Sequence, residues 1–392
     1  MYQPKIVIVG AGIVGLSTAY ALLKQGMKQV TVLEQAVVDH RRSTSHGLSR
    51  LLRFEYGSER FYTQMVQLSL NRWKSLERVS KRTLYTQTGL LMMGNESDNF
   101  TRASYHTLRE VGLPLEFLSR QECVTQFPQF NTQPYELFTY NANGGILHAS
   151  FCLHTLKELI LDLGGTIREH QRVTHIAHEN KHYPIRLYLS TGETLLADHV
   201  VLATGPWVHR LLAEQRLPIR LTRQYVLYFA NLPTASFKLH TFPAFMVDDL
   251  YGLPIHSTCT GGYGPSWLKG TSHSFGKATD PDEVPRMDEQ VVAHIARKLR
   301  TLLPMLEHAE MVHVDSCVYD VSPDENFILD HLPEDDRIVF ATGLTGHGFK
   351  FGPLLGELLS SLVCETRPAV SLDRFQMARF AHQGSVHAGS VA

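Results

Sequence analysis

The sequence of 392 residues has few cysteines and no long apolar run. Its five cysteines are scattered, odd in number and without C-x-x-C spacing: Cys123, Cys152, Cys259, Cys317 and Cys364. This pattern argues against a disulfide framework or a zinc ribbon and favours a reducing compartment. No stretch reaches the roughly 18 consecutive apolar residues of a membrane span, and the N-terminus becomes glycine-rich before a signal-peptide core could form. We therefore expect a cytoplasmic protein with no membrane partner.

The chain also has almost no net charge. Lys plus Arg number 37 and Asp plus Glu 38, a net charge of −1, so no overall field would draw the protein to nucleic acid. The 21 histidines contain no H-E-x-x-H or other short-spaced ligand cluster, and no metal site is predicted. A content of 43% hydrophobic and 19% charged residues is typical of a folded globular chain. At about 150 residues per domain, the length predicts two or three domains.

A glycine-rich turn follows the first apolar run. Residues 5–9 read as a strand and lead into Gly10-Ala11-Gly12-Ile13-Val14-Gly15, after which a helical pattern begins. Gly10 permits the turn, Gly12 lets a pyrophosphate approach the backbone, and Gly15 lets the helix pack close to the strand. Glu34 ends the next predicted strand, where an acidic side chain can accept from a ribose hydroxyl. The pattern predicts dinucleotide binding; the alternative is a βαβ unit whose glycines serve only close packing.

Two later strand-like runs also end in glycine. One runs from Asp198 to Ala203 and into Thr204-Gly205, and the other covers Arg337 to Gly343. A helix predicted from Pro353 to Val363 follows the second run. Strand, glycine turn and helix N-terminus again indicate a ligand, so we expect all three turns to meet at one nucleotide.

Three further segments are more specific than the glycine turn. They are Ser45-His46-Gly47-x-x-Arg50-x-x-Arg53-x-x-Tyr56-Gly57, then Cys317-Val318-Tyr319 with Pro323-Asp324-Glu325-x-Phe327-Ile328, then Gly346-His347-Gly348-Phe349-Lys350-Phe351. In these segments the chain resembles the monomeric sarcosine oxidase and N-methyltryptophan oxidase family of FAD-dependent amine oxidases, which belongs to the D-amino-acid-oxidase-like flavoproteins. The resemblance spans about residues 5–370.

The resemblance implies an α/β fold with two discontinuous domains. One is an FAD-binding, Rossmann-like domain of the glutathione-reductase type, and the other is an α+β substrate domain with a mixed sheet. The expected FAD-binding domain covers 1–85, 149–215 and 316–385, the substrate domain covers 86–148 and 216–315, and 386–392 form a flexible tail.

The resemblance also implies roles for individual residues. Cys317 matches the position at which the family attaches FAD covalently, whereas by composition alone it would be a buried structural thiol. Arg53 and Lys350 match the pair that binds the substrate carboxylate, and the alternative for Arg53 is a salt bridge. Lys269 matches the lysine that activates oxygen. His46, Arg50, His273 and Tyr319 match further active-site residues. The residues expected to bind FAD are Gly10, Gly12, Ile13, Val14, Gly15, Glu34, Ser45, His46, Arg50, Val173, Ala203, Thr204, Gly205, Cys317, Gly343, Gly346, His347, Gly348, Phe349 and Lys350.

Lys269 is the position at which the chain departs from the family. In the family a Tyr-Gly-x-Pro motif closely precedes this lysine, whereas here Tyr251-Gly252-Leu253-Pro254 is separated from it by a longer loop, Ile255 to Ser266. The alternative for Lys269 is a solvent-exposed lysine. The spacing from Lys269 to His273 matches the family and favours the active-site role.

The expected activity is oxidation of a secondary amino acid, such as sarcosine or another N-methyl or cyclic amino acid. The products are an imine and hydrogen peroxide, and the expected partners of this monomer are only the amino acid and oxygen. Three alternatives remain open: a flavin dehydrogenase that uses another electron acceptor, an NAD-dependent reductase, and a non-catalytic FAD-binding module.

Overall fold

A computed structural model describes residues 3–178, 182–256, 266–284 and 286–380. The strands in this part of the chain are β1 (Lys5–Val9), β2 (Gln29–Leu33), β3 (Arg50–Leu52), β4 (Tyr85–Gln87), β5 (Leu90–Gly94), β6 (Glu116–Phe117), β7 (Leu137–Asn141), β8 (Gly145–Leu147), β9 (Thr166–Arg168), β10 (Val173–Ala177), β11 (Ile185–Leu189), β12 (Thr194–Ala197), β13 (His199–Leu202), β14 (Arg220–Ala230), β15 (Ala244–Val247), β16 (Leu250–Leu253), β17 (Leu268–Ser272), β18 (Glu310–Val321), β19 (Ile328–Leu332) and β20 (Asp335–Thr342).

The α-helices are α1 (Ile13–Lys24), α2 (Arg60–Ser80), α3 (Asn99–Glu110), α4 (Arg120–Gln126), α5 (Ala149–Asp162), α6 (Val208–Leu211), α7 (Thr234–Phe237), α8 (Glu289–Leu302) and α9 (Gly352–Val363). Short 3₁₀ helices cover Gly205–Trp207, Pro304–His308, Phe349–Phe351, Asp373–Phe375 and Met377–Phe380.

A six-stranded sheet has the order β19-β20-β13-β1-β2-β9. All its neighbours are parallel except β19, which pairs antiparallel with β20. The carboxyl ends of β1, β2, β13 and β20 therefore lie at one edge of the sheet. Strand β2 lies on one side of β1 and β13 on the other, so the connections after β1 and after β13 run in opposite directions. A crevice for a ligand opens at the strand ends where the connections diverge.

This sheet lies between two other layers. Ile6 and Ile8 of β1 pack in the core formed with α1, α2, α5 and α9, whereas Val7 and Val9 pack toward the small sheet β10-β11-β12. A strand buried on both faces explains why residues 5–9 form an apolar run without polar alternation. Helix α9 lies directly against α1, since a Cβ at Gly356 would lie 2.4 Å from the backbone carbon of Ser17.

An eight-stranded sheet has the order β18-β14-β17-β16-β15-β5-β7-β6. It is mixed, because β15 and β5 are parallel and their neighbours are antiparallel. Leu227 and Phe229 of β14 face a core that includes Ile295 and Leu299 of α8. Because side chains alternate along a strand, the residues between them face the opposite side, toward the six-stranded sheet. A three-stranded sheet, β3-β8-β4, completes the fold.

The predicted fold class is confirmed: a parallel sheet with helices and a second unit with a mixed sheet. The division into two domains stays a prediction. Sheet membership departs from it at residue 316, where β18 continues without a break from Glu310 to Val321. It also departs in the sheet β3-β8-β4, because β3 lies in the expected FAD-binding domain, β8 lies in the expected substrate domain, and β4 crosses the boundary between residues 85 and 86. The predicted tail, 386–392, lies outside the described residues, as do residues 257–265 of the longer loop.

Candidate active site

The glycine turn after β1 is closely packed. Gly10 has φ of +104°, and a Cβ there would lie 2.4 Å from the carbonyl oxygen of Ala203. A Cβ at Gly15 would lie 1.9 Å from the carbonyl oxygen of Gly10. Glycine at both positions lets α1 begin against the strand end, so its N-terminal N–H groups point toward the crevice. Ser45 Oγ accepts from the N–H of Ile13 at 3.0 Å, which brings the segment before β3 to the helix N-terminus.

A cavity of about 1480 Å³ lies at this edge of the six-stranded sheet. It extends from Glu34 at the end of β2 to Lys269 and Cys317 on the eight-stranded sheet. The cavity walls include many of the residues predicted from sequence to bind the cofactor: Gly10, Gly12, Ile13, Val14, Glu34, Ser45, Arg50, Val173, Ala203, Thr204, Gly205, Cys317, Gly346, Gly348 and Phe349.

The chemistry of this cavity fits a dinucleotide. The turn offers backbone N–H groups at a helix N-terminus, the group that binds pyrophosphate. The hydroxyl of Thr204 is buried, lines the cavity and has no hydrogen-bond partner among the described residues. The Glu34 carboxylate accepts from the N–H of Ala11 at 2.9 Å and lies beside the turn. A buried unpaired hydroxyl is costly, so a ligand atom at this point would stabilise the site.

A second, smaller cavity of about 490 Å³ adjoins the first. Arg50, Tyr251, Gly346 and Phe349 line both cavities. The remaining walls of this inner cavity are Leu51, Arg53, Met246, His273, His347 and Lys350. His347 and Lys350, predicted as cofactor residues, thus line the inner cavity and not the large one.

Two buried cations face the inner cavity. Arg53 is 7% exposed and Lys350 is 4% exposed. The guanidinium carbon of Arg53 lies 4.4 Å from the centre of the Tyr56 ring, and its Nη1 has no hydrogen-bond partner among the described residues. The Nζ of Lys350 donates to Tyr56 Oη at 2.7 Å and to the carbonyl oxygen of His347 at 3.0 Å. Burial, with Arg53 nearby, holds the pKa of Lys350 well below its ordinary value.

An anion bound between Arg53 and Lys350 would relieve these unfavourable charges, since a buried cation is stable only when it is paired. His273 lines the same cavity, and burial together with Arg53 and Lys350 lowers its pKa to about 4. A neutral imidazole at neutral pH adds no positive charge to the cavity. The salt bridge considered from sequence for Arg53 is not found among the described residues, and the Arg53 Nη1 has no hydrogen-bond partner there.

Lys269 faces the large cavity from the middle of β17. Leu268 points into the core, so strand alternation directs Lys269 to the opposite face, where its Nζ donates to the carbonyl oxygen of Ser49 at 2.5 Å. Lys269 is only 2% exposed, which rules out the solvent-exposed alternative. Burial, and then the charge of Arg50, hold the pKa of Lys269 well below its ordinary value.

Arg50 is held by backbone oxygens. Its guanidinium donates to the carbonyl oxygens of Ser49, Thr44 and His46, and its carbon lies 5.6 Å from the Phe349 ring centre. Gly47 makes room for it, since a Cβ there would lie 2.8 Å from Arg50 Nη1. Arg50 thus presents a positive charge where the two cavities meet.

Cys317 and Tyr319 lie on the cavity face of β18. They pair with Gln224 and Thr222 of β14, and Cys317 is partly exposed because it lines the large cavity. Burial raises the pKa of the Cys317 thiol, while Arg50 and Lys269 act in the opposite direction. The four cysteines in the described part of the chain are free thiols.

Tyr251 lines both cavities but was not predicted as a site residue. It lies opposite Thr271 in the register of β16 and β17, and Tyr319 also lines the large cavity. The Tyr-Gly-x-Pro motif could have identified Tyr251 as a site residue, because Tyr251 lies on the same sheet face as Lys269.

His46 does not lie where the sequence predicted. It lines neither cavity, and its Nδ1 bonds Asp39 Oδ1 at 2.8 Å. Burial alone would raise the pKa of Asp39, but hydrogen bonds from His154, His46 and Ser150 lower it to about 2. The backbone carbonyl of His46, by contrast, accepts from Arg50. Gly15 and Gly343 also lie outside both linings and serve packing and turning of the chain.

A model of the FAD dependent oxidoreductase family matches residues 5–362. The chain belongs to this family. Its cofactor is therefore FAD, and the large cavity is the part of the structure that fits it. No helix in the described ranges is long and apolar enough to cross a membrane.

Relatives in the family match nearly the whole chain. The peroxisomal sarcosine oxidase of Mus musculus is 33% identical over 97% of each chain. The monomeric sarcosine oxidase of Bacillus sp. (strain B-0618) is 28% identical over 98% of each chain. The N-methyl-L-tryptophan oxidase of Salmonella typhimurium is 27% identical over 96% of this chain and 98% of its own. The predicted resemblance is confirmed.

A solved structure shows the same fold. L-proline dehydrogenase from P. horikoshii superimposes with a TM-score of 0.83 over 97% of this chain and 98% of its own, at 18% identity.

Proposed function

We propose that this protein is an FAD-dependent oxidase of secondary amino acids that converts an N-methyl or cyclic amino acid to an imine and reduces oxygen to hydrogen peroxide. The observation that carries the proposal is the pair of buried cations, Arg53 and Lys350, in an inner cavity that opens onto the FAD cavity. Relatives named sarcosine oxidase and N-methyl-L-tryptophan oxidase support the substrate class.

The substrate carboxylate would bind between Arg53 and Lys350. The unpaired Nη1 of Arg53 and the Nζ of Lys350 supply donors, and a charged hydrogen bond in a buried site contributes about 1.5–3 kcal/mol. With the carboxylate anchored there, the nitrogen and its neighbouring carbon would point toward Arg50 and Tyr251, two of the four residues shared with the large cavity. Positioning of this kind lowers the barrier because the reacting groups are already oriented.

The substrate nitrogen must be neutral before its C–N unit can be oxidised, because an ammonium has no free electron pair. The described residues that line the inner cavity include no Asp or Glu. The positive charge of Arg50 disfavours a second cation beside it and lowers the pKa of the bound ammonium. The amine can therefore lose its proton to solvent without a dedicated general base.

FAD, when bound, supplies the chemistry of accepting two electrons from the substrate and passing them to oxygen. We propose that Gly10, Gly12 and Thr204 hold its phosphates and that Glu34 binds its ribose. We further propose a covalent link through the Cys317 sulfur, which faces the cavity. Burial raises the pKa of this thiol, and the nearby charges of Arg50 and Lys269 oppose that shift in the direction of the thiolate.

Lys269 is the residue we propose to act on oxygen. Its amine faces the FAD cavity from a rigid strand, and a positive charge there stabilises the negative charge that develops as oxygen is reduced. Without a bound anion, burial lowers the pKa of Lys269. An anion bound beside Lys269 would favour the charged ammonium and oppose that shift.

One experiment tests substrate class, acceptor and attachment. Purified protein is incubated with a panel of N-methyl, cyclic and primary amino acids, while oxygen uptake and peroxide are recorded. The same preparation is denatured in acid and viewed under ultraviolet light on a gel. We expect peroxide with secondary amino acids and fluorescence that stays with the polypeptide. Substrate oxidation that requires a dye or quinone and consumes no oxygen would instead identify a dehydrogenase.

We also propose that the enzyme acts as a monomer in the cytoplasm. The scattered cysteines and a relative named as monomeric support this proposal. Another relative is named peroxisomal, so fractionation of cells that express the protein is the measurement that decides the location. Light scattering of the purified protein gives the oligomeric state.

A further inference from the structure

The inner cavity adjoins a further cavity, which offers space for a substituent on the substrate α-carbon. In the proposed function the carboxylate binds Arg53 and Lys350, and the nitrogen points to the side shared with the FAD cavity. Met246, a wall residue of the inner cavity, also lines the further cavity.

That further cavity, here called the outer chamber, has a volume of about 720 Å³. Met92, Met246 and Phe100 supply its apolar walls, and Asp98 and Asp248 lie among its polar residues. The described lining contains no Lys or Arg. Phe100 connects the chamber to the carboxylate anchor, because its ring centre lies 5.7 Å from the guanidinium carbon of Arg53.

Strand register explains why Met246 separates the two spaces. On the eight-stranded sheet Met246 pairs with Tyr251 on one side and with Met92 on the other. Directly paired residues share a face of the sheet, so Tyr251 of the inner cavity, Met246 and Met92 of the outer chamber form a row. Met246 is partly exposed whereas its neighbours Phe245 and Val247 are buried. An unbranched methionine with space around it can change rotamer and admit a larger group.

We propose that the outer chamber is the subsite for the substrate side chain and that Met246 sets the size of side chain admitted. This inference rests on the proposed amino-acid oxidase function. The apolar walls favour aliphatic or aromatic side chains, because burial of apolar surface stabilises the complex. Asp98 and Asp248 carry negative charge, and no cation balances them in the described lining, so acidic side chains are disfavoured.

The test compares substrates that share the reacting unit and differ only in the side chain. Sarcosine, N-methyl-L-leucine and N-methyl-L-glutamate are assayed for kcat/KM with the holoenzyme and with Met246→Phe. We expect the unaltered enzyme to prefer N-methyl-L-leucine to N-methyl-L-glutamate. The larger Phe ring should lower the ratio of kcat/KM for N-methyl-L-leucine to that for sarcosine about tenfold or more.

Asn95→Trp provides a second variant that does not disturb the core. Asn95 is exposed and lines the outer chamber, so a Trp there narrows the chamber from the solvent side. The same ratio should fall. Met305→Phe is the matched control, because Met305 is 39% exposed and lies in the 3₁₀ helix that follows α8. It should leave all three substrates unchanged.

A binding measurement removes any dependence on turnover. Methoxyacetate and 2-methoxy-4-methylpentanoate carry an ether oxygen in place of the nitrogen and cannot be oxidised in the same way. Calorimetry should show that Met246→Phe weakens binding of the branched acid more than binding of methoxyacetate. Equal losses for both acids, or an unchanged ratio in both variants, would overturn the subsite while leaving the oxidase function intact. Absence of turnover with every amino acid would instead overturn the proposed function.

Discussion

The ring of Tyr319 occupies the space that a side chain at Gly346 would need. A Cβ at Gly346 would lie 2.1 Å from Tyr319 Cε2, and Gly346 has φ of +73°, which favours glycine. The contact joins the strand that carries Cys317 to the turn that precedes Lys350. Tyr319 lines the FAD cavity, and Gly346 lines both the FAD cavity and the inner cavity.

Gly346→Ala should displace Tyr319 and weaken FAD retention. The added methyl group cannot fit without a shift of the aromatic ring, and both residues line the FAD cavity. We expect a lower flavin-to-protein absorbance ratio after purification and a lower kcat. Gly112→Ala is the matched control, since Gly112 has φ of +74° but nothing within 4 Å of the new Cβ. It carries the same backbone strain without the clash, and equal loss in both variants would contradict this account.

Arg53→Ala should raise the substrate KM through loss of the carboxylate anchor. The guanidinium is buried with an unpaired Nη1, and loss of a charged hydrogen bond costs about 1.5–3 kcal/mol, or roughly 10- to 150-fold in binding. Arg53→Lys should lose less, because the charge remains while the planar fork is lost. Steady-state kinetics measures both, with the exposed Arg102→Ala as control. An unchanged KM in Arg53→Ala would place the carboxylate elsewhere.

Lys269→Met should slow the oxygen half-reaction far more than the amine half-reaction. Methionine keeps the length of the buried side chain and removes the charge that faces the cavity. Stopped-flow absorbance measures anaerobic reduction by substrate and then reoxidation by air. Lys238→Met, on an exposed lysine, is the control. If the two half-reactions slowed equally, Lys269 would have no specific role toward oxygen.

Cys317→Ser should yield protein whose flavin is released on acid denaturation. The serine hydroxyl is too weak a nucleophile to form the proposed link, although it occupies nearly the same space. Cys364→Ser is the control, since Cys364 is also a partly exposed free thiol and lies in neither cavity lining. The readout is flavin fluorescence on a denaturing gel. Fluorescent Cys317→Ser polypeptide would contradict the covalent assignment.

The free energy of unfolding of the apoprotein should decrease as pH rises from 3.8 to about 6, the range between the unfolded and folded pKa values of Asp320. Burial raises the pKa of this carboxyl from 3.8 to about 6, although hydrogen bonds such as that from Thr342 oppose the shift. Between these values the folded state holds a proton that the unfolded state has lost, so unfolding becomes easier with rising pH. The shift corresponds to about 3 kcal/mol at pH 7.

Asp320→Asn tests this linkage because the amide does not ionise. Urea unfolding of the apoproteins at about pH 4.5 and about pH 7.5 should show a smaller decrease in the free energy of unfolding for the variant. Identical pH dependence in the two proteins would show that Asp320 does not titrate in this range.

Local sequence signals predicted much of the fold. Strand β1 has the predicted bounds, residues 5–9, because a short apolar β-branched run before a turn specifies a strand within its own length. Helix α9 begins one residue before its predicted start at Pro353. The short strands of the sheet β3-β8-β4 were not predicted, since three residues carry too little periodicity to distinguish a strand from a loop.

The sequence by itself determined the FAD-binding turn and the residue types of the site. Gly10 and Gly15 indicate close backbone packing. Strand alternation places the side chain of Lys269 on the face opposite that of Leu268. The sequence determines both features because each acts between neighbours in the chain. Only the tertiary structure decided which distant groups meet. It placed the unpaired guanidinium of Arg53 beside Lys350, turned the ring of His46 toward Asp39, and set Met246 between the inner cavity and the outer chamber. Such contacts depend on how elements that are far apart in the sequence pack together. The spacing of two residues in the sequence does not encode the distance between them in the folded protein.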